Sequence, residues 1–208
     1  MIEIYSVLEV RNHIEGLDAV IFDLDDTLYS EKEYVKSGYQ QIAVVLSEVE
    51  NVAEKLWCLF EEKQPAIDEL LKRENIQSEE IKQKCLHAYR YQIPEIHLYE
   101  GVREMLAELR KKGLKLGIIT DGRPEGQRAK LQVLGLEPMV DYIIVTDELG
   151  GIECRKPNSI AFESMREKLA VEYSKMCYVG DNIKKDFIAP EKLGMRSIWF
   201  KNTDGLYV

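Results

Sequence analysis

The residues best suited to chemistry lie in the segment FDLDDTL at 22–28. Asp23 and Asp25 stand at i and i+2, and on extended chain that spacing points both carboxylates the same way. Acids held so close repel each other and need a cation or a shared proton. Mg²⁺ is one remedy, because it takes one or two carboxylates and leaves positions for phosphate oxygens. The competing reading of such a pair is a helix N-cap or a plain loop.

Three further segments carry reactive groups in comparable settings: Thr120-Asp121-Gly122-Arg123, Lys156-Pro157, and Gly180-Asp181-Asn182 with Asp186 beyond it. A hydroxyl and backbone N–H groups at the first would hold phosphate oxygens. Asp-Gly is equally ordinary turn chemistry. Lys156 either offsets carboxylate and phosphate charge at the mouth of a site or is a solvated surface lysine. Asp181 is placed to complete a metal shell. Asp186 either stands behind that shell or faces solvent near its helix start, where negative charge suits the dipole.

These groups need elements to position them. AVIFD at 19–23, KLGIIT at 115–120, YIIVT at 142–146, MCYVG at 176–180 and RSIWF at 196–200 are short apolar runs that read as buried strands. Helical patterns fall between them, at Val102 to Lys112, Pro124 to Leu134, Pro157 to Leu169 and Lys184 to Leu193. Pro157 suits a first helical position. The alternation predicts an α/β fold, a Rossmann-like parallel sheet with helices on both faces. The chemical segments then fall at carboxyl ends of strands, where open α/β sheets take their ligands. Residues 31–98 differ. They carry helical periodicity over about 33–48, 50–62, 64–73 and 78–91 and no strand pattern, so they read as a helical subdomain inserted into a core of 1–30 and 99–208.

Composition narrows the class. A 45% hydrophobic and 31% charged chain can bury a core. A net charge of −9 argues against a broad nucleic-acid footprint. Cys58, Cys85, Cys154 and Cys177 form no C-x-x-C pair, so no zinc knuckle is visible and a reduced cytoplasmic location is expected. The start, MIEIYSVLEVRN, lacks the basic-then-apolar order of a signal peptide, and no run is long enough for a membrane span.

Taken together, Asp-x-Asp-x-Thr, Thr, Lys and Asp at four successive strand ends resemble the four motifs of the haloacid dehalogenase superfamily. FDLDDTL, IITDG, RKPN and GDNIKKD carry the resemblance, which runs from about Asp18 to Lys201. It implies a phosphatase with a helical cap between the first and second motifs. It implies Asp23 as nucleophile forming an aspartyl-phosphate and Asp25 as general acid, then base. Thr120, with Asp121, Gly122 and Arg123, would hold the phosphoryl group, and Lys156 would neutralise its charge. Mg²⁺ would be held by Asp23, the backbone carbonyl of Asp25 and Asp181, steadied by Asp186. The expected partner is a small-molecule phosphate ester such as a nucleotide or sugar phosphate, with no nucleic acid or membrane, the chain acting as monomer or homodimer. Tyr34, Lys36, Tyr39, Arg90, Tyr91 and His97 are candidates for meeting the leaving group. A dehalogenase is disfavoured because halide needs no second acid. Phosphomutases share both acids, and Lys32 or Lys36 keeps an imine-forming phosphonate hydrolase open. The rival classes are a phospho-accepting signalling domain, which would be shorter and without an insertion, and a silent binding protein on the same fold.

Overall fold

The computed structural model describes residues 1–206. The chain divides into two compact units, Met1–Glu31 with His97–Val208, and Lys32–Ile96.

The first unit is built on a six-stranded parallel sheet. Its strands are β1 (Ile2–Ile4), β2 (Ala19–Phe22), β3 (Lys115–Thr120), β4 (Tyr142–Val145), β5 (Met176–Gly180) and β6 (Arg196–Phe200), in the order β1-β6-β5-β2-β3-β4. β2 is therefore central. The chain builds outward from it through β3 to β4, then returns to its other side for β5 and β6. That reversal opens a crevice at the carboxyl ends of β2, β3 and β5. All four residues of β2 are buried, which is why its sequence is continuously apolar rather than alternating.

β1 has no counterpart in the sequence reading. It is only three residues long, and its pairing of Ile2 with Ile198 closes nearly the whole chain. A 3₁₀ segment, Val7–Asn12, follows it behind a Ser6–Glu9 capping box.

Helices α5 (Val102–Lys111), α6 (Pro124–Leu134), α7 (Ile160–Leu169) and α8 (Ile188–Leu193) connect the strands. α6 spans the expected residues, with Pro124 in its first turn and Gly135 in the left-handed C-cap. Two starts differ from expectation. α7 begins at Ile160 rather than Pro157, because Asn158 closes a local turn by accepting from Ile160 N at 3.0 Å and donating to Glu153 O at 2.9 Å. α8 begins at Ile188, and the stretch before it is a turn organised by Asn182, whose carbonyl takes Asp186 N at 3.0 Å. One core cluster packs Phe162, Met165 and Leu169 of α7 against Ile21, Ile119 and Tyr178 of the sheet.

The second unit is helical: α1 (Glu31–Val45, whose first residue belongs to the first unit), α2 (Val52–Glu61), α3 (Ala66–Arg73) and α4 (Glu79–Arg90). Tyr39, Ile42 and Leu46 form its buried stripe with Leu56, Leu59, Leu70 and Cys85. Tyr34 and Tyr39 are 8% and 6% exposed. Their rings pack edge-on against Tyr89 and Phe60 respectively, so both serve the interior of this unit. Lys36 lies 4.4 Å from the Trp57 ring centroid, and the exposed Tyr91 stacks on His87. Arg90 is half-buried and His97 exposed.

Candidate active site

Asp23 follows β2 directly. Its N–H still donates to Val179 O at 2.8 Å, so the backbone is held in the ladder up to the reactive residue. Asp23 Oδ1 accepts from Leu24 N at 2.8 Å and pairs with Lys156 Nζ at 2.9 Å. Oδ2 accepts no hydrogen bond among the described residues. The residue is 4% exposed.

Lys156 is the hub of the charge arrangement. Its ammonium lies 2.9 Å from Asp23 Oδ1 and 2.9 Å from Asp186 Oδ1, and it donates to Tyr178 Oη at 2.8 Å. Burial works to depress its pKa, but Asp186 and Asp23 outweigh that and hold it well above the ordinary lysine value. The solvated-surface reading of Lys156 is thus overturned, as it is 5% exposed. The solvent-facing reading of Asp186 falls too, since it is fully buried and takes Asn182 N on Oδ2 at 2.9 Å. Gly180 makes room for it. A Cβ there would stand 2.9 Å from Asp186 Cγ, closer than real side chains approach.

Asp181 ends β5. Thr27 Oγ1 donates to its Oδ1 at 3.3 Å and Trp199 Nε1 to its carbonyl at 2.9 Å. Asp23, Asp181 and Asp186 can each bring one carboxylate oxygen within 4.8 Å of the others. Burial first, then Asp186, pushes Asp23 up to about 7 against the pull of Lys156. Burial, then Asp23 and Asp186, pushes Asp181 up to about 8. Two buried carboxylates and a half-buried one sharing one lysine are short of positive charge, and hard oxygen donors suit a hard divalent cation. The donor set therefore fits such an ion.

Asp25 lies on the same loop in a second network that the sequence reading missed. Lys130 Nζ stands 2.6 Å from its Oδ1, Gln127 Nε2 donates to its Oδ2 at 2.9 Å, and Tyr29 Oη donates to Oδ1. Burial would raise Asp25, but the Lys130 charge and these hydrogen bonds outweigh it and hold the carboxyl below its usual range. Gln127 also donates to Thr120 Oγ1, so Thr120 and Asp25 share one amide. Gly122 allows this packing: its φ is +143° and a Cβ would meet Gln127 Cγ at 3.1 Å. A further acid, Glu31, is pushed up to about 8, first by burial and then by Asp25.

Of the residues expected to contact substrate, Asp121 turns its carboxylate inward. Oδ1 takes Lys156 N at 3.0 Å and Thr146 Oγ1 at 3.1 Å, while Oδ2 takes Lys185 Nζ at 2.9 Å. It ties the loops after β3, β4 and β5 together. Arg123 is exposed at the N-cap of α6.

The chain resembles known proteins over most of its length. The glyceraldehyde 3-phosphate phosphatase of Methanocaldococcus jannaschii is 27% identical over 197 residues, covering 88% of this chain and 84% of that protein. A HAD-superfamily hydrolase of Geobacter sulfurreducens superposes with a TM-score of 0.68 at 18% identity, covering 89% of this chain and 88% of that one. The putative HAD-hydrolase YfnB of Bacillus subtilis, in a magnesium-bound crystal form, superposes with a TM-score of 0.63 at 19% identity over 88% of this chain and 86% of that one. Both structural likenesses concern the fold. Residues 20–200 match the model of the haloacid dehalogenase-like hydrolases, and the chain belongs to that family.

Proposed function

We propose that the chain is a Mg²⁺-dependent phosphatase that hydrolyses small-molecule phosphomonoesters through a phosphorylated Asp23. The observation that carries this reading is the buried Lys156 ammonium set between Asp23 and Asp186 at 2.9 Å from each. It fixes one oxygen of Asp23 and leaves Oδ2 available to attack phosphorus.

In this reading the Oδ2–P bond forms as the ester P–O bond breaks, and Asp25 gives a proton to the departing alkoxide. Water then attacks the acyl phosphate, Asp25 takes its proton, and Asp23 and inorganic phosphate are released. Thr120 and the N–H groups after it face the phosphoryl oxygens, and Lys156 offsets their charge. Asp23, the Asp25 carbonyl and Asp181 would hold Mg²⁺, which would supply electrostatic stabilisation of the transferring group. Asp186 holds Lys156 in place. Against the upward push of burial, Lys130, Tyr29 and Gln127 hold the Asp25 carboxyl below its usual range, and the acid step draws on its protonated form.

The test is phosphate release from p-nitrophenyl phosphate and from a panel of sugar phosphates, nucleotides, carboxylated phosphoesters and phosphonates, with Mg²⁺ or with EDTA. Turnover of one ester class that stops with EDTA is expected. No release from any of them would overturn the reading. Cleavage of a phosphonate alone would favour the imine-forming alternative instead.

A second expectation follows from charge. Burial pushes Asp23 up to about 7 and Asp181 up to about 8, from an ordinary 3.8. A raised acid binds its proton more tightly when folded, so its stabilising contribution is complete below about pH 4 and is lost as pH rises towards 8. The melting temperature of metal-free protein will therefore drift down from pH 5 to pH 8. Mg²⁺ needs both groups ionised, so it will restore more at pH 8 than at pH 5.5. At 100 times its Kd the gain is about 2.7 kcal/mol, roughly 5–10 °C for a chain of this size. Equal shifts at the two pH values would contradict this, and thermal melts with and without Mg²⁺ decide it.

A further inference from the structure

The segment after β6 does more than end the sheet. It starts on the sheet edge, where Lys201 N donates to Ile4 O at 2.9 Å, and then turns back across the loop that carries Asp25. Asn202 Nδ2 donates to the carbonyl of Asp26 at 2.8 Å and to Tyr99 Oη at 2.9 Å. Four residues on, Leu206 N donates to Asp26 Oδ2 at 2.7 Å. Two turns keep the segment compact: Gly205 N reaches Asn202 O at 3.1 Å, and Asp204 N reaches Asn202 Oδ1 at 3.1 Å. The fit over Asp26 is close, since a Cβ on Gly205 would stand 3.3 Å from Asp26 Oδ2.

Asp26 is an unusual residue to find held this way. It is 1% exposed and has a left-handed φ of 51°. That region is uncommon for residues with a Cβ, although Asp and Asn enter it more readily than most, so contacts around Asp26 can select it. Its other carboxylate oxygen takes Glu31 N at 2.8 Å. Asp26 is also the residue whose φ orients the peptide carrying the Asp25 carbonyl. Its neighbour Thr27 contacts Asp181 through the 3.3 Å hydrogen bond. Any relaxation at Asp26 therefore moves the Asp25 carbonyl and the hydroxyl on Asp181 together.

We propose that residues 202–206 are a positioning strap for the cation site: Asn202 and the Leu206 N–H hold Asp26 left-handed, and that conformation aims the Asp25 carbonyl at the ion. The inference rests on the reading of Asp23, the Asp25 carbonyl and Asp181 as the ligand set. Asn202 acts through Asp26 and touches neither substrate nor cation.

The test is Mg²⁺ binding to the purified full chain by calorimetry, alongside the Mg²⁺ and substrate dependence of p-nitrophenyl phosphate hydrolysis. Asn202→Ala is expected to weaken Mg²⁺ binding about tenfold and to raise the Mg²⁺ concentration for half-maximal rate in parallel. KM for the ester at saturating Mg²⁺ stays within about twofold. Leu206→Pro removes the N–H donated to Asp26, while also restricting the backbone at 205 and 206, and shifts Mg²⁺ affinity in the same direction. Tyr99→Phe removes the second acceptor of Asn202 but keeps its bond to Asp26, and leaves Mg²⁺ affinity within about twofold. Should Asn202→Ala not fold, Leu206→Pro decides alone. Folded variants that bind Mg²⁺ like the wild type overturn the proposal. A wild type that binds Mg²⁺ but cleaves no ester sinks the proposed activity and leaves the strap to be judged on binding. A wild type that does not bind Mg²⁺ sinks both.

Discussion

Asp23→Asn is expected to abolish ester hydrolysis, by about 10⁴-fold or more, while leaving the metal-free protein at pH 8 as stable as wild type or a few degrees more so. The activity loss follows because an amide oxygen is a poor nucleophile and the covalent step has no substitute. The stability expectation comes from the charge count around Lys156. The lysine faces two carboxylates, Asp23 and Asp186, each at 2.9 Å. Burial pushes Asp23 up to about 7, so at pH 8 its ionised form costs folding free energy. Neutralising it leaves Lys156 and Asp186 as a matched pair. Phosphate release and thermal melts on one preparation measure both halves. A melting temperature many degrees below wild type would show that Asp23 stabilises the fold, against the argument here.

Lys156→Met has the opposite signature. Its methylene stem is replaced by a thioether of similar length, but two buried carboxylates then lose their cation. Removing one partner of a buried ion pair costs about 3–5 kcal/mol, which for this chain length is roughly 6–20 °C in melting temperature. Activity falls as well, by at least about 10²–10³-fold, the scale for losing one preorganised charge stabiliser. Because the missing charge can be supplied from outside, Mg²⁺ will recover more stability in Lys156→Met than in wild type. Melts of both proteins across a Mg²⁺ series measure the difference. An unchanged melting temperature in the variant would mean the two carboxylates are protonated in the folded state and that Lys156 compensates nothing.

The parts of this site legible in sequence are those fixed by strand geometry. Asp23, Thr120 and Asp181 each follow a short apolar run, and a parallel sheet brings such ends to one crevice whatever the details of packing. Lys156 is different, because nothing local distinguishes a buried lysine from an exposed one. Its neighbours Tyr178 and Asp186 come from more than twenty residues further along the chain.

The Asp25 clamp was missed for a related reason, although a signal existed. Gln127, Lys130, Leu131 and Leu134 are the buried positions of α6 and follow the i, i+3, i+4, i+7 spacing of an inward stripe. A lysine and a glutamine on that stripe must have partners, and Asp25 is the partner they share. Tyr34 and Tyr39 show the reverse error. Polar tips suggested contact with a ligand, yet both rings are spent on the interior of the helical unit. Pro157 suited a helix start, but the Asn158 turn intervenes.

The bridge between Tyr29 and Leu98 pairs the chain just before the helical unit with the chain just after it, and Tyr99 N adds a second rung to Leu28 O at 3.0 Å. Departure and return are thus stitched together within the sheet-bearing unit. The entropic cost of closing a loop there grows only slowly with how many residues are looped out. The sheet unit is accordingly tolerant of exchange at this point: helical segments of other lengths can be spliced between the two rungs without disturbing strand register. A single contiguous stretch of gene thus encodes the whole helical unit.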